Sequence, residues 1–416
     1  MIQRQAVPLV DYRYYPKVWH CSWINKRTDL ARGEWAIILA DLTHRYNAWA
    51  TELLIGGLAK RMYEYVHGGD IYTARDLTGT QDIIDFSANI NPLGLPSGVK
   101  NAVKAALNEC LSYPDPFCRE LAAALALYEK TDQENIYCAN GTSEIIFRLT
   151  LALKPKKALI LAPTFADYEK ALRTVGCDIE YYILTAENDF SLQQDYIGKI
   201  KSGMDMLWIC NPNNPTGQGC KNSFLVKVLE RCRQTKTVVL IDECFMDFVG
   251  QPEIYSVQSL IGSYNNLLVL KAFTKIYAMP GIRLGYVLTS NRRIIEQLRL
   301  AGQDWSVSTL AQKAGISALN QKEYLQKTKI LVKKEREYLI KELTVFGFKV
   351  YGSLANYIFF EASRYLDLDK MLLAKGILIR SCSNYAGLNS GYFRVAVRNH
   401  SDNQQLIAAL KDVTKY

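Results

Sequence analysis

Three short segments of this chain hold residue types that do chemistry together. Lys275, in Phe273-Thr274-Lys275, offers an amine that can form a Schiff base with an aldehyde. Asp242 opens Asp242-Glu243-Cys244-Phe245 after the apolar run Val238-Val239-Leu240-Ile241, where a carboxylate either caps the next element or holds a buried cation. Arg283 closes Pro280-Gly281-Ile282-Arg283 and carries the planar cation suited to a phosphate. Singly these are weak signals: a lysine after a strand is usually a surface residue, and Asn211-Pro212-Asn213-Asn214-Pro215-Thr216-Gly217 alone reads as a turn. Together they supply an amine, an acid for a ring nitrogen and a guanidinium for a phosphate, which are the requirements of pyridoxal phosphate. Gly141-Thr142-Ser143, opening a helix, adds backbone N–H groups and hydroxyls for that phosphate, and Phe165 could stack on the ring.

These residues need a scaffold that brings strand ends to one crevice, as open α/β sheets do. Apolar runs at Ala158–Ala162, Met206–Cys210, Val238–Ile241, Leu267–Leu270 and Leu284–Thr289 read as buried strands. Helical patterns fall at Arg119–Lys130, Ser143–Lys154, Phe165–Val175 and Ser223–Gln234, with Gly176 as a helix stop. A further helix has apolar positions Val99, Ala102, Val103, Ala106 and Cys110, with Ser97 as its cap. Strands alternating with helices imply an α/β fold with a mostly parallel sheet covered on both faces. Beyond Asn291 the chain reads as long charged helices to about Leu343. Elements at Phe348–Phe360, Asp369–Lys375, Ile377–Arg380, Phe393–Val397 and Asn403–Leu410 then form a smaller α/β domain.

The 416 residues, 49% hydrophobic and 22% charged, exclude collagenous, low-complexity and wholly disordered classes. The longest stretch without a polar residue, Leu121 to Tyr128, is far short of the ~20 residues of a membrane span, so no membrane role is expected. The net charge of +9 is spread without long like-charge blocks and favours solvated helix faces or an anionic small molecule over nucleic acid. Ten scattered cysteines form no C-x-x-C pair, which argues for a reduced, cytoplasmic setting and against structural zinc, so no metal is expected. Residues 1–66 stand apart: they hold four of the six tryptophans and an apolar stripe, Trp35, Ile38, Leu39, Leu42, Tyr46, Trp49 and Leu53, at helical spacing. Residues 1–61 read as a non-catalytic extension or as an upstream start that the cell does not use, with Met62 five residues before His67. A DNA-reading helix is not legible in them.

The Asn-Pro-x-Asn-Pro-Thr-Gly stretch, the Asp 28 positions after Asn214 and the Lys eight positions before Arg283 resemble the fold-type-I aminotransferase superfamily. Within it the chain is most similar to the threonine-phosphate decarboxylases of the cobalamin pathway. That likeness is carried by His67-Gly68-Gly69, by Asp85 to Gly94, by Leu378 to Tyr385, and by Tyr392-Phe393-Arg394-Val395-Ala396-Val397-Arg398. The resemblance implies a large domain over 112–305, a small domain over 306–416, and an N-terminal arm and helix over 67–111 packing on the small domain. It implies that Lys275 holds the cofactor as a Schiff base, that Asp242 pairs with the ring nitrogen, and that Asn214 meets the ring hydroxyl and the substrate. Arg283, Thr142, Ser143 and a neighbouring subunit's Tyr113 would hold the cofactor phosphate, making a homodimer. Arg394 would bind the substrate carboxylate, and His67, Asn89 and Arg380 its phosphate. The activity implied is decarboxylation of threonine phosphate to aminopropanol phosphate, or of serine phosphate to ethanolamine phosphate. The alternatives are a histidinol-phosphate aminotransferase and, from another class, a non-catalytic effector domain.

Departures from the family pattern bear on these roles. Ala272 stands where many relatives carry a hydroxyl, removing one phosphate hydrogen bond unless Thr274, Lys271 or water replaces it. Phe245 occupies the place of the ring-hydroxyl tyrosine of many aminotransferases, leaving Asn214 as the partner. Arg394 and Arg398 alternate and are expected on one side of a strand, Arg398 as a surface or domain-closing residue.

Overall fold

The computed structural model describes residues 67–415. The expectations about residues 1–66 lie outside the described residues. Helix α1 (Ile71–Thr78), capped by the Asp70 side chain, leads into the short strand β1 (Ile84–Asp85). The central sheet is built from β2 (Ile136–Ala139), β3 (Lys157–Ala162), β4 (Asp178–Ile183), β5 (Met206–Cys210), β6 (Val238–Asp242), β7 (Leu267–Ala272) and β8 (Gly285–Leu288). These seven strands lie in the order β2-β8-β7-β6-β5-β3-β4. Only β8 runs against the others, pairing antiparallel with both β2 and β7. β5, β7 and β8 are buried along their whole length, which is why they read as unbroken apolar runs. β2 and β4, the two edge strands, escaped the sequence reading. β4 carries Asp178 and Glu180 and is only partly covered, and β2 leaves Tyr137 part-exposed.

Helix α2 (Ser97–Ala105) is not capped by Ser97 as expected. Pro96 takes the cap position without a side-chain hydrogen bond, and the rest of the predicted helix tightens into a 3-10 turn over Ala106–Leu111. Helices α3 (Arg119–Glu129), α4 (Thr142–Leu153), α5 (Ala166–Thr174) and α6 (Asn222–Thr235) lie where expected within a residue or two, with Gly176 at φ +69° ending α5. The one-turn helix α7 (Phe273–Ile276) precedes β8. After β8 come α8 (Arg292–Leu300), α9 (Thr309–Leu319) and the 24-residue α10 (Lys322–Val345). α9 packs on α2 and α3, joining the first described helices to the C-terminal half.

The last part of the chain holds β9 (Lys349–Val350), β10 (Tyr357–Glu361), α11 (Leu368–Leu373), β11 (Ile377–Leu378), β12 (Arg380–Ser381), β13 (Tyr392–Ala396) and α12 (His400–Thr414). Four of these strands form a second sheet, ordered β12-β13-β10-β9 and antiparallel throughout. Two expectations need correction here. Phe348–Phe360 is two strands, because Gly352 at φ +70° breaks it. Ile377–Arg380 also divides: β11 pairs with β1 instead of joining the second sheet. The Ala396 N–H donates to the Phe86 carbonyl, so the end of β1 is stitched to β13 as well. Arg398 lies beyond the end of β13 rather than on it. It bonds Asp402 at 2.8 Å and the Asp85 carbonyl at 3.0 Å, a closing tie between segments.

Candidate active site

The strand register builds the site. Cys210, Asp242 and Leu270 are neighbours across β5, β6 and β7, so the loops leaving these strands emerge at one sheet edge. Asp242 is buried there, with Oδ2 accepting from the Tyr168 hydroxyl at 2.6 Å and Oδ1 from the Cys244 N–H at 2.9 Å. Burial pushes its pKa up, and the Cys244 and Tyr168 contacts with the Lys275 charge pull it back only in part. Lys275 sits on α7 just past β7. Its carbonyl accepts from the Asn91 N–H at 3.1 Å, and the Asn91 side chain donates to the Ile276 carbonyl at 2.6 Å. Burial lowers the Lys275 pKa; Cys244 and Asp242 oppose this, and the Arg394 and Arg283 charges reinforce it. An amine with that bias is a better nucleophile at neutral pH than a surface lysine.

A phosphate cradle lies beside it. Gly141 precedes α4 at φ +82°, and a Cβ there would stand 2.5 Å from Arg283 Nη2. Arg283 itself holds φ 63°, a costly conformation for a non-glycine residue. A guanidinium thus faces a helix N-terminus that no side chain caps, with the N–H groups of Thr142 and Ser143 in its first turn. The Ser143 hydroxyl turns elsewhere, donating to Asp167 Oδ2 at 2.7 Å, which leaves its N–H for the cradle. Phe165, at the start of α5, packs edge-on against Tyr168. The uncapped helix, the facing cation, the buried acid and the biased amine fit pyridoxal phosphate.

The substrate end is built on the second sheet. Arg380 and Arg394 are direct cross-strand partners of β12 and β13, so two guanidinium-bearing residues share one face. Arg394 is buried; it donates to the Asn214 side-chain oxygen and, at 2.5 Å, to the Ser87 carbonyl, while its Nε has no partner. Asn89 is buried with an unpartnered Oδ1. Arg380 donates to Asn384 at 2.8 Å and lies over the Tyr385 ring at 5.3 Å. His67 Nε2 stands 3.0 Å from Asp167. Two guanidinium groups on one face suit anionic substrate groups.

Tyr113 is not brought to this site within the chain. It is exposed and stacks on Trp305 at 4.8 Å beside a crevice lined by Glu109, Glu120 and Lys313. Lys271 cannot replace the missing hydroxyl at position 272, because its amine bonds Gln258 at 2.7 Å and Glu129 at 3.4 Å in a separate buried cluster. Phe245 packs on Tyr357, whose hydroxyl donates to the Asn213 carbonyl, so neither ring offers a phenol to the cofactor. Sequence reasoning missed Asp167 and Tyr168. Their signal was positional: two and three residues after Phe165, in the first turn of α5, they reach the site as Phe165 does.

The family model of aminotransferase class I and II matches residues 81–410. A threonine-phosphate decarboxylase of Salmonella typhimurium is 36% identical over 85% of this chain and 97% of its own length. A histidinol-phosphate aminotransferase of Caldicellulosiruptor saccharolyticus is 30% identical over 84% of this chain and 97% of its own. Among solved structures, the histidinol-phosphate aminotransferase of Clostridium acetobutylicum superposes with a TM-score of 0.75 at 32% identity, covering 79% of this chain and 98% of that one. The chain belongs to the class I and II aminotransferases, pyridoxal-phosphate-dependent enzymes of fold type I.

Proposed function

We propose that this enzyme decarboxylates a phosphorylated hydroxy-amino acid, threonine phosphate before serine phosphate, to the corresponding aminoalcohol phosphate. The observation that carries the reading is the cross-strand pair Arg380–Arg394, with buried Asn89 and with His67 on Asp167. A substrate with one carboxylate and one phosphate asks for two cationic seats. The similarity to a threonine-phosphate decarboxylase supports the same choice. The role is the one such an enzyme has in making the linker of the cobalamin nucleotide loop.

Lys275 would hold the cofactor, Asp242 would face its ring nitrogen, Asn214 its ring hydroxyl, and Arg283 with the Thr142 and Ser143 N–H groups its phosphate. When bound, pyridoxal phosphate supplies an electron sink for a bond broken at the substrate α-carbon. Arg394 would hold the substrate carboxylate and so orient the bonds at the α-carbon. Binding at the remote phosphate fixes the same orientation from the other end. Lys275, when it is not joined to the cofactor, would carry a proton as its ammonium form and stands where it could deliver that proton to the substrate α-carbon. A second copy of the chain would bring Tyr113 to the cofactor phosphate. The exposed Leu111, Tyr113 and Phe117 support a homodimer, and nine free cysteines among the described residues fit a reducing, cytoplasmic setting.

The test is CO₂ release from threonine phosphate and serine phosphate, with pyridoxal phosphate and no keto acid. The methyl group that separates the two substrates is worth ~1–3 kcal/mol. Conversion of the cofactor to its amine form by an amino donor, with turnover only when a keto acid is added, would assign an aminotransferase instead. For the dimer, mixing inactive Lys275→Ala with inactive Tyr113→Ala restores partial activity if the tyrosine serves the neighbouring site.

A further inference from the structure

Nothing in the cofactor chemistry asks for Asp167, yet it is buried beside the site. It stands in the first turn of α5, two residues after Phe165, and is 7% exposed. Both oxygens are engaged, Oδ1 by His67 Nε2 at 3.0 Å and Oδ2 by the Ser143 hydroxyl at 2.7 Å. Burial works to raise its pKa, and the contacts with His67 and Ser143 hold it below the usual carboxylate value instead.

The backbone beside His67 is equally constrained. A Cβ on Gly68 would fall 2.2 Å from the Ser87 carbonyl oxygen, so only glycine fits there. The Gly69 N–H, at φ +96°, donates to Ser87 Oγ at 2.7 Å. That same Ser87 carbonyl accepts from Arg394. His67 is therefore anchored through its backbone to the segment that holds Arg394, and through its ring to the turn that carries Phe165, 5.4 Å from that ring. Its side chain still reaches solvent, at 25% exposure.

We propose that Asp167 is a positioning residue for the substrate phosphate: it seats the His67 imidazole, and the pair sets the preference for a phosphorylated amino acid over the same amino acid without phosphate. The inference rests on the reading above that the substrate carries a phosphate and that His67 faces it. A ring held in place before the ligand arrives loses no rotamer freedom on binding, whereas an unanchored histidine must be ordered by the substrate itself. The carboxylate does not repel the incoming anion as a bare charge would, because a histidine nitrogen and a hydroxyl already face it.

The experiment compares Asp167→Ala, Asp167→Asn, His67→Ala and the His67→Ala/Asp167→Ala double variant as holoenzymes, with cofactor absorbance recorded as a check on the fold. Substrates are threonine phosphate, threonine and histidinol phosphate. Asp167→Ala and His67→Ala should each lower kcat/KM for threonine phosphate about tenfold, through a raised KM and a lowered kcat, because the phosphate seat also orients the α-carbon. The double variant should be no worse than His67→Ala, because coupled residues are not additive. Asp167→Asn, whose amide oxygen still accepts from Nε2, should recover most of the loss, and KM for threonine should not move. Multiplying effects, or equal losses with phosphorylated and free substrate, would reduce Asp167 to a structural tie and overturn the inference. If the wild type transaminates histidinol phosphate and releases no CO₂, the decarboxylase reading falls, and the same variants scored on that ester still decide Asp167. A wild type that favours no phosphate ester over its free alcohol overturns both.

Discussion

Two lysines four residues apart, on either side of the end of β7, have opposite fates. Lys275 faces the crevice among Arg283, Arg394, Asp242 and Cys244, and its pKa is lowered. Lys271 points to the other side, where burial alone would lower its pKa, but Glu129, Asp247 and Glu243 more than reverse that and raise it. Its amine bonds Glu129 and Gln258, and the Tyr286 hydroxyl donates to the second Glu129 oxygen. The residue type is shared and only four positions separate the two, so the charges of the neighbours decide the difference. One lysine is kept reactive; the other is locked into an ion pair that ties α3 to the sheet.

The largest expected contrast comes from deleting each amine. Lys275→Ala should abolish decarboxylation while far-ultraviolet circular dichroism stays native; retained CO₂ release would falsify the assignment of this lysine. Lys271→Met should do the reverse, destabilising the protein by ~3–5 kcal/mol in denaturant unfolding, because Glu129 is left buried without its cation. Folded Lys271→Met protein should keep most of its kcat. Equal losses of activity in the two variants would erase the distinction between the sites.

Competitive amine labelling of cofactor-free protein, read by peptide mass spectrometry, sharpens the contrast. Lys275 should label at lower pH than surface lysines, and labelling should stop as pH falls below its lowered pKa. Lys271 should resist throughout. Between the folded and unfolded pKa of Lys275 the unfolded chain binds more protons, so cofactor-free protein gains stability there as pH rises. The contribution of Lys271 is present below its unfolded pKa and is lost only as pH rises through the raised folded value. The smallest effect lies between them in sequence. Ala272→Ser restores a hydroxyl on the site side and should tighten cofactor binding by ~0.5–1.5 kcal/mol in equilibrium dialysis. Unchanged affinity would mean that the cradle is complete without it.

The buried strands β5 to β8 were legible because a strand covered on both faces must be apolar throughout, and Met206–Cys210 was placed to the residue. The edge strands were not, since each leaves part of its length uncovered: Tyr137 in β2 is only part-buried, and β4 mixes Asp178 and Glu180 into its run. Lys275, Asp242, Asn214 and Arg283 could be read from the chain because each stands within a few residues of a strand end, where local spacing and spatial role coincide. Contacts between distant segments were closed to that reading. That Arg380 lies across from Arg394, that Asp167 holds both His67 and Ser143, and that Tyr168 bonds Asp242 all depend on strand register and helix docking. Lys271 shows the limit most simply. Its spacing from Lys275 was plain, but which side of the sheet held the carboxylates was set by where α3 packs, and only the folded chain decides that.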